Sequence, residues 1–479
     1  VAFLAVATPS EPIVAFAVGV GLFALSRPII RRVAAAENNP WLVKVMTVSV
    51  ALHLLAAPMQ IWVVDHFYGG IADWTRYDSE GAALAVGFRH FDFALGQLHG
   101  IVNNGAVSII AGAVFAIDGT NQLATFFIFS WVAFIGLILF FRAFTLTFAG
   151  ANHRRYAILL FFLPSLIFWT SDVSKEAIMT FALGLIAYGA AKILARKSGG
   201  LLYILPGSVI AAFVRPNELL IAAAALVVAV MIMPSSPLRN QSGLRRLFSF
   251  VVLSAVLGVS LYLTFHYLHG KGGSLSLNQI SKNNAGTTSG HGSSNVPYSS
   301  SPAGFPRDIY TVLFDPLPIN AHGHGEILAA LENLFIIGVI LASFRQLRIV
   351  VRASFARPYV MFCAVYTVAF IYTFAALGNL GLITRERTIM LPFLLVILSI
   401  PRAPKGEPPR YEWELRRRDR LRLRRSGREQ GQPVMAGSAR RPDPGYPAPP
   451  RPRPRPNGRP GPERGVGPRE PGHNGVDGG

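Results

Sequence analysis

Four carboxylates stand within one short stretch between two apolar runs, DHFYGGIADWTRYDSEG at positions 65–81. Carboxylates beside a bilayer are costly to desolvate unless they are solvated, paired or used. Asp73, Asp78 and Glu80 could deprotonate an acceptor hydroxyl as general base, or hold a divalent metal next to a phosphate. Asp73 and Arg76 are close to one helical turn apart, a spacing that allows an ion pair. Asp78 and Glu80 share a face only if the chain is extended, because on a helix they diverge by about 200°. The stretch is expected to be a polar loop reaching to about residue 100, and solvated loop charge is the plainer reading of the same residues.

Cations that could meet an anion occur at three other places. Lys175 and Glu176 end the run PSLIFWTSDVSKE, at the polar tip of an apolar hairpin. Lys175 could bind a phosphate that Glu176 helps orient, or the two could form an interfacial pair. Arg215, in FVRPNE, lies between two apolar runs and must either snorkel or find an anion. Arg385 and Arg387 flank Glu386 in TRERTIMLP, and two guanidinium forks can clamp a phosphate or diphosphate. The run His322-Gly-His324-Gly-Glu326 is a thin metal motif, since no further ligands stand at a known spacing. A metal is compatible with the acids and is not required.

The elements that must position these residues are helices in a membrane. The chain has 479 residues, 51% of them hydrophobic and only 15% charged, with a mean hydropathy of +0.40. Apolar runs fall near 13–30, 41–64, 101–117, 123–141, 156–171, 177–194, 201–214, 217–233, 247–267, 326–343, 358–377 and 388–400. A span needs roughly 20 residues, so several runs are short. Pro164, Pro206 and Pro216 suggest broken helices. The expectation is an all-α polytopic bundle of about 11 spans, with 101–117 re-entrant or, instead, 201–214 and 217–233 forming one broken helix. Residues 1–40 form a first span and loop, 41–400 the main membrane domain, and 401–479 a disordered tail. The N-terminus lacks a basic n-region, and Glu11 and Pro12 interrupt it, so no cleaved signal peptide is expected. The single cysteine, Cys363, excludes an intrachain disulfide.

Charge gives the orientation. Of the net +20, half comes from 401–479, which holds 19 Lys/Arg against 9 Asp/Glu. Arg416, Arg417, Arg418, Arg420, Arg422, Arg424 and Arg425 follow closely on the last apolar run, which places the C-terminus in the cytoplasm. These cations suit a membrane surface, and no nucleic-acid partner is expected. Arg345, Arg348, Arg352 and Arg357, with no acid among them, mark a second cytoplasmic segment, and Arg239, Arg245 and Arg246 a third. The acidic stretch and a long loop at 268–325 then lie outside.

The order of three motifs, DWTRYDSEG, PSLIFWTSDVSKEA and TRERTIMLP, resembles that of GT-C-fold glycosyltransferases and related bacterial surface-polysaccharide membrane proteins, over roughly 41–400. The resemblance implies an enzyme of the plasma membrane. It would transfer a sugar from a polyprenyl-phosphate-linked donor to a glycan acceptor at the outer face. It implies a catalytic acid at Asp73, Asp78 or Glu80, and donor phosphate on Arg385 and Arg387. Arg215 and Lys175 would join the phosphate site, with Arg76 and Glu176 in support. Two features depart from that pattern: Asp-Ser-Glu replaces an adjacent acidic pair, and the tail stands where a large soluble domain would follow. A polymerase of lipid-linked repeat units, using a diphosphate donor, is a second expectation. A lipid-linked glycan transporter is a third, though few charges lie inside the apolar runs.

Overall fold

The computed structural model of the chain describes residues 11–67, 70, 72–95, 98, 100–149, 151–231, 254–265, 302–321 and 324–401. No strand occurs among the described residues. The helices are α1 (Glu11–Ala36), α2 (Trp41–Phe67), α3 (Asp73–Arg89), α4 (Asn104–Asp118), α5 (Gln122–Thr147), α6 (Arg154–Phe162), α7 (Pro164–Phe168), α8 (Lys175–Leu194), α9 (Leu201–Val214) and α10 (Pro216–Met231). There follow α11 (Ser254–Phe265), α12 (Phe305–Phe314), α13 (His324–Ala342), α14 (Phe344–Ala356), α15 (Pro358–Phe374) and α16 (Leu380–Leu398). The expectations placed on 402–479, on most of loop 268–325 and on His322 lie outside the described residues. So does the second of the two units into which the chain divides, Leu421–Gly479.

The structure corrects the expected number of spans. Five helices among the described residues are long and apolar enough to cross a membrane: α1, α2, α5, α8 and α15 with its short extension. The bent pair α13–α14 makes a sixth if counted as one span. About 11 was an overestimate because apolar runs were counted without regard to the helices they build. The run at 156–171 breaks at Pro164 into α6 and α7, of nine and five residues. The runs at 101–117 and 201–214 become helices of 15 and 14 residues. At 1.5 Å per residue these fall short of a hydrocarbon core of about 30 Å. The last run starts on a helix that carries Arg385, Glu386 and Arg387.

The acidic stretch is also not a loop. Asp65 lies in the last turn of α2, and residues 73–89 form α3. Trp74, Tyr77, Gly81, Leu84 and Ala85 recur at helical spacing and are buried. They pack on α4, where Gly81 allows close approach: a Cβ there would sit 3.1 Å from both the Cβ of Ala111 and the backbone N of Gly112. At the centre of the bundle α5 crosses α8 through Gly136 and Gly184. A Cβ on Gly184 would lie 2.5 Å from the Gly136 carbonyl oxygen, so the two backbones touch. α8 packs in turn on α9, and α10 and α16 both pack on α15. This arrangement carries the starts of α3, α8 and α10 towards the first two turns of α16.

Candidate functional site

Each of three helices brings a carboxylate in its first turn: Asp73 on α3, Glu176 on α8 and Glu218 on α10. A negative charge is favourable there, because the unpaired backbone N–H groups give the helix start a partial positive charge. Ser174 caps α8, its Oγ accepting from the Ala177 amide at 3.3 Å. Arg215 occupies the break between α9 and α10, where Pro216 begins the new helix. Arg385 lies one turn into α16, whose start is fixed by the Asn379 side chain accepting from the Leu382 amide at 3.0 Å.

These groups form a continuous ladder of ion pairs. Arg385 Nη1 donates to Asp73 Oδ2 at 2.7 Å, and its Nη2 to Glu176 Oε2 at 2.7 Å. The other oxygen of Glu176 accepts from Arg215 Nη2 at 2.6 Å. Arg215 Nη1 reaches Glu218 Oε1 at 2.9 Å and also pairs with Glu386. Glu176 and Glu218 are fully buried, while the Asp73 side chain is 59% exposed and that of Arg385 17%. The ladder therefore runs from solvent into the bundle, with Asp73 at its open end. Lys175, half-buried, has no hydrogen bond or ion pair among the described residues.

Four of the residues singled out in the sequence thus meet directly: Asp73, Glu176, Arg215 and Arg385. The others are placed differently. Arg76 does not pair with Asp73. Its Nε donates to Glu80 Oε1 at 2.8 Å, one turn further on, and Glu80 Oε2 accepts from Ser108 Oγ at 2.6 Å. Glu80 is therefore engaged at the contact of α3 with α4. Arg387 does not form a clamp with Arg385. Two residues along a helix turn it by about 200°. It is fully buried, with Nη1 3.4 Å from the Leu313 carbonyl and no partner at Nε or Nη2. Among the described residues no group of three or more His, Cys, Asp or Glu side chains could hold a metal ion.

Asp78 belongs to a second group of acids, with Asp172 and Asp118, that makes no ion pair among the described residues. Its Oδ2 accepts from Gln122 Nε2 at 2.7 Å, while Oδ1 is buried without a partner. Burial pushes its carboxyl up to about 7, helped by the negative charges of Asp172 and Asp118 and opposed by the Gln122 hydrogen bond. Asp172, in the turn before α8, accepts from Gln60 Nε2 at 3.4 Å, and its Oδ1 also lacks a partner. Burial raises it to about 6, against the pull of Arg385.

Sequence reasoning did not select Glu218, Glu386, Asp172 or Gln60. The first three stand inside motifs that were read, in RPNE, TRER and SDVSKE. Gln60 carried the one signal that was overlooked, a buried amide in an otherwise apolar span. Comparisons of the chain with protein-family models, with curated proteins and with solved structures give no match.

Proposed function

We propose that the protein is a membrane glycosyltransferase that uses a polyprenyl-phosphate-linked sugar at the outer face of the plasma membrane. The observation that carries this reading is the exposed Asp73 carboxylate on the otherwise buried Arg385 fork. The ladder holds two arginines and Lys175 against Asp73, Glu176, Glu218 and Glu386, so its cations are already balanced. An incoming phosphate must therefore replace a carboxylate, and only Asp73 can swing into solvent. The donor phosphate takes its place on Arg385 and gains the unpaired Lys175.

Asp78 lies five residues beyond Asp73 on α3, about 7.5 Å along the axis and roughly 140° around it. A base works best with a pKa close to the working pH, and Asp78 is held near 7. In this mechanism Asp78 takes the proton of the acceptor hydroxyl, and the hydroxyl oxygen attacks the anomeric carbon. The bond from that carbon to the phosphate oxygen breaks, and the lipid phosphate leaves onto Arg385 and Lys175. Orientation follows from charge: the acidic face lies outside and the C-terminus in the cytoplasm.

A second reading, polymerisation of lipid-linked repeat units, is favoured by one specific feature. Arg385 and Arg215 share the two oxygens of Glu176, so a second guanidinium charge stands behind the Arg385 fork, where it favours the extra negative charge of a diphosphate. Purified full-length protein, offered sugar-labelled polyprenyl-phosphate and polyprenyl-diphosphate donors, separates the readings. Transfer from the monophosphate supports the first. Chain growth only from the diphosphate supports the second. Movement of donor across vesicles with no new glycosidic bond rejects both and leaves a transporter.

A further inference from the structure

α13 and α14 meet at a bend of 68°. The bend is held from outside, since Arg155 of α6 donates to Ser343 Oγ at the junction and, at 3.4 Å, to the Val339 carbonyl. The helix that follows, FRQLRIVVRASFA, carries three arginines and no acid. Gln346 and Ser354 are buried, and Leu347, Val350 and Ala353 are partly buried; this side packs on α15 and α16.

The opposite side has two edges. Phe344, Val351 and Phe355 are all exposed and fall within about 40° of one another around the helix. Arg348, Arg352 and Arg345 occupy the adjoining arc of roughly 60°, and all three are exposed. The Arg348 guanidinium stands 4.6 Å from the centre of the Phe344 ring, which keeps the charged and aromatic edges in contact. Three large apolar side chains open to water would be unfavourable. Beside a row of guanidinium groups they match one environment, the boundary between acyl chains and headgroups.

We propose that α14 is a membrane-surface helix. Its Phe344/Val351/Phe355 edge enters the acyl boundary of one leaflet, and its Arg345/Arg348/Arg352 edge binds the phosphates of anionic phospholipid. The bend at Ser343 turns the chain from the direction of α13 to lie along the surface. The occupant is a lipid surface of negative charge because the exposed side offers cations and apolar groups but no acid. This assignment is independent of the transferase reading.

The test places a fluorophore at Val351→Cys on a Cys363→Ala background, in full-length protein held in nanodiscs. Quenching by phosphatidylglycerol and by phosphatidylcholine, each carrying a nitroxide near the headgroup, is compared. Phosphatidylglycerol is expected to quench more strongly, and its advantage to shrink in high salt. Arg345→Gln/Arg348→Gln/Arg352→Gln should reduce that advantage by roughly fivefold per arginine removed. The corresponding triple Lys variant should keep it, which separates lost charge from misfolding. Equal quenching by the two lipids overturns the proposal. So does an absence of quenching by either, which would mean a surface for water or for another protein, or an unchanged advantage in the triple Gln variant.

Discussion

Asp73 and Arg385, 312 residues apart in the chain, are joined by a hydrogen-bonded ion pair of 2.7 Å at the mouth of a buried charge ladder. The pair unites the start of α3 with the body of α16. Exposed pairs of this kind contribute only ~0–1 kcal/mol. Asp73 can therefore leave Arg385 at little cost, whereas Glu176, fully buried between two arginines, cannot.

That asymmetry separates two substitutions. Asp73→Asn frees one side of the Arg385 fork and should tighten binding of the phosphate-bearing donor by several-fold. Arg385→Ala should weaken it by tenfold or more, and Arg385→Lys should recover only part, because a point charge replaces a fork. Titration of labelled donor against the purified variants measures both. Weaker binding in Asp73→Asn would mean that Asp73 assists the donor rather than holding its place.

Glu176→Gln removes the carboxylate that neutralises both arginines at once. Breaking a buried pair from one side costs about 3–5 kcal/mol, because the remaining charge has lost its partner inside the protein. Arg215 keeps Glu218 and Glu386, so the lower end of that range is expected. Denaturation in detergent compares the variant with Asp73→Asn, whose exposed position predicts a change below ~1 kcal/mol. Equal losses in the two would remove the distinction between the open and closed ends of the ladder.

Under the proposed mechanism Asp78 should make both stability and turnover depend on pH. Its folded-state carboxyl is raised from 3.8 to about 7, so between these values the folded protein binds more protons than the unfolded chain. Its contribution is therefore present at low pH and is lost as pH rises towards 7. Turnover moves the opposite way, because a base must be ionised, and kcat should climb through the same interval. Asp78→Asn should flatten that part of the stability profile and lower kcat with little change in donor binding. An unchanged pH–rate profile in a variant that remains active would exclude Asp78 as the base.

Orientation can be read independently of activity. Cysteines introduced as Ser293→Cys and Ser438→Cys on a Cys363→Ala background should label differently with an impermeant thiol reagent in intact cells. Only the first should react, given the positive charge that follows the last apolar run. The reverse pattern would put the ladder on the cytoplasmic side and end the proposed use of an outward-facing donor.

Much of the local structure was readable from residue order. The runs at 41–64, 123–141, 177–194 and 358–377 reappear as α2, α5, α8 and α15 with its short extension, because an apolar run of that length satisfies its backbone most economically as a helix. Asp73, Glu176, Arg215 and Arg385 could be picked out because charge at the edge of an apolar run is expensive. Other features depended on the folded chain. Hydropathy counts runs, whereas a span depends on where a helix breaks, and Pro164 divides one run into two pieces too short to cross. Helical periodicity relates a residue to its own helix and carries no information about which neighbour that side will meet. Arg76 therefore found Glu80 instead of Asp73, and Arg387 turned into the core while Arg385 joined the ladder. Those choices follow from close helix contacts, such as Gly136 against Gly184 and Gly81 against Gly112, which help set where the starts of α3 and α8 lie. Each contact joins segments distant in sequence, so only the packed tertiary structure could decide it.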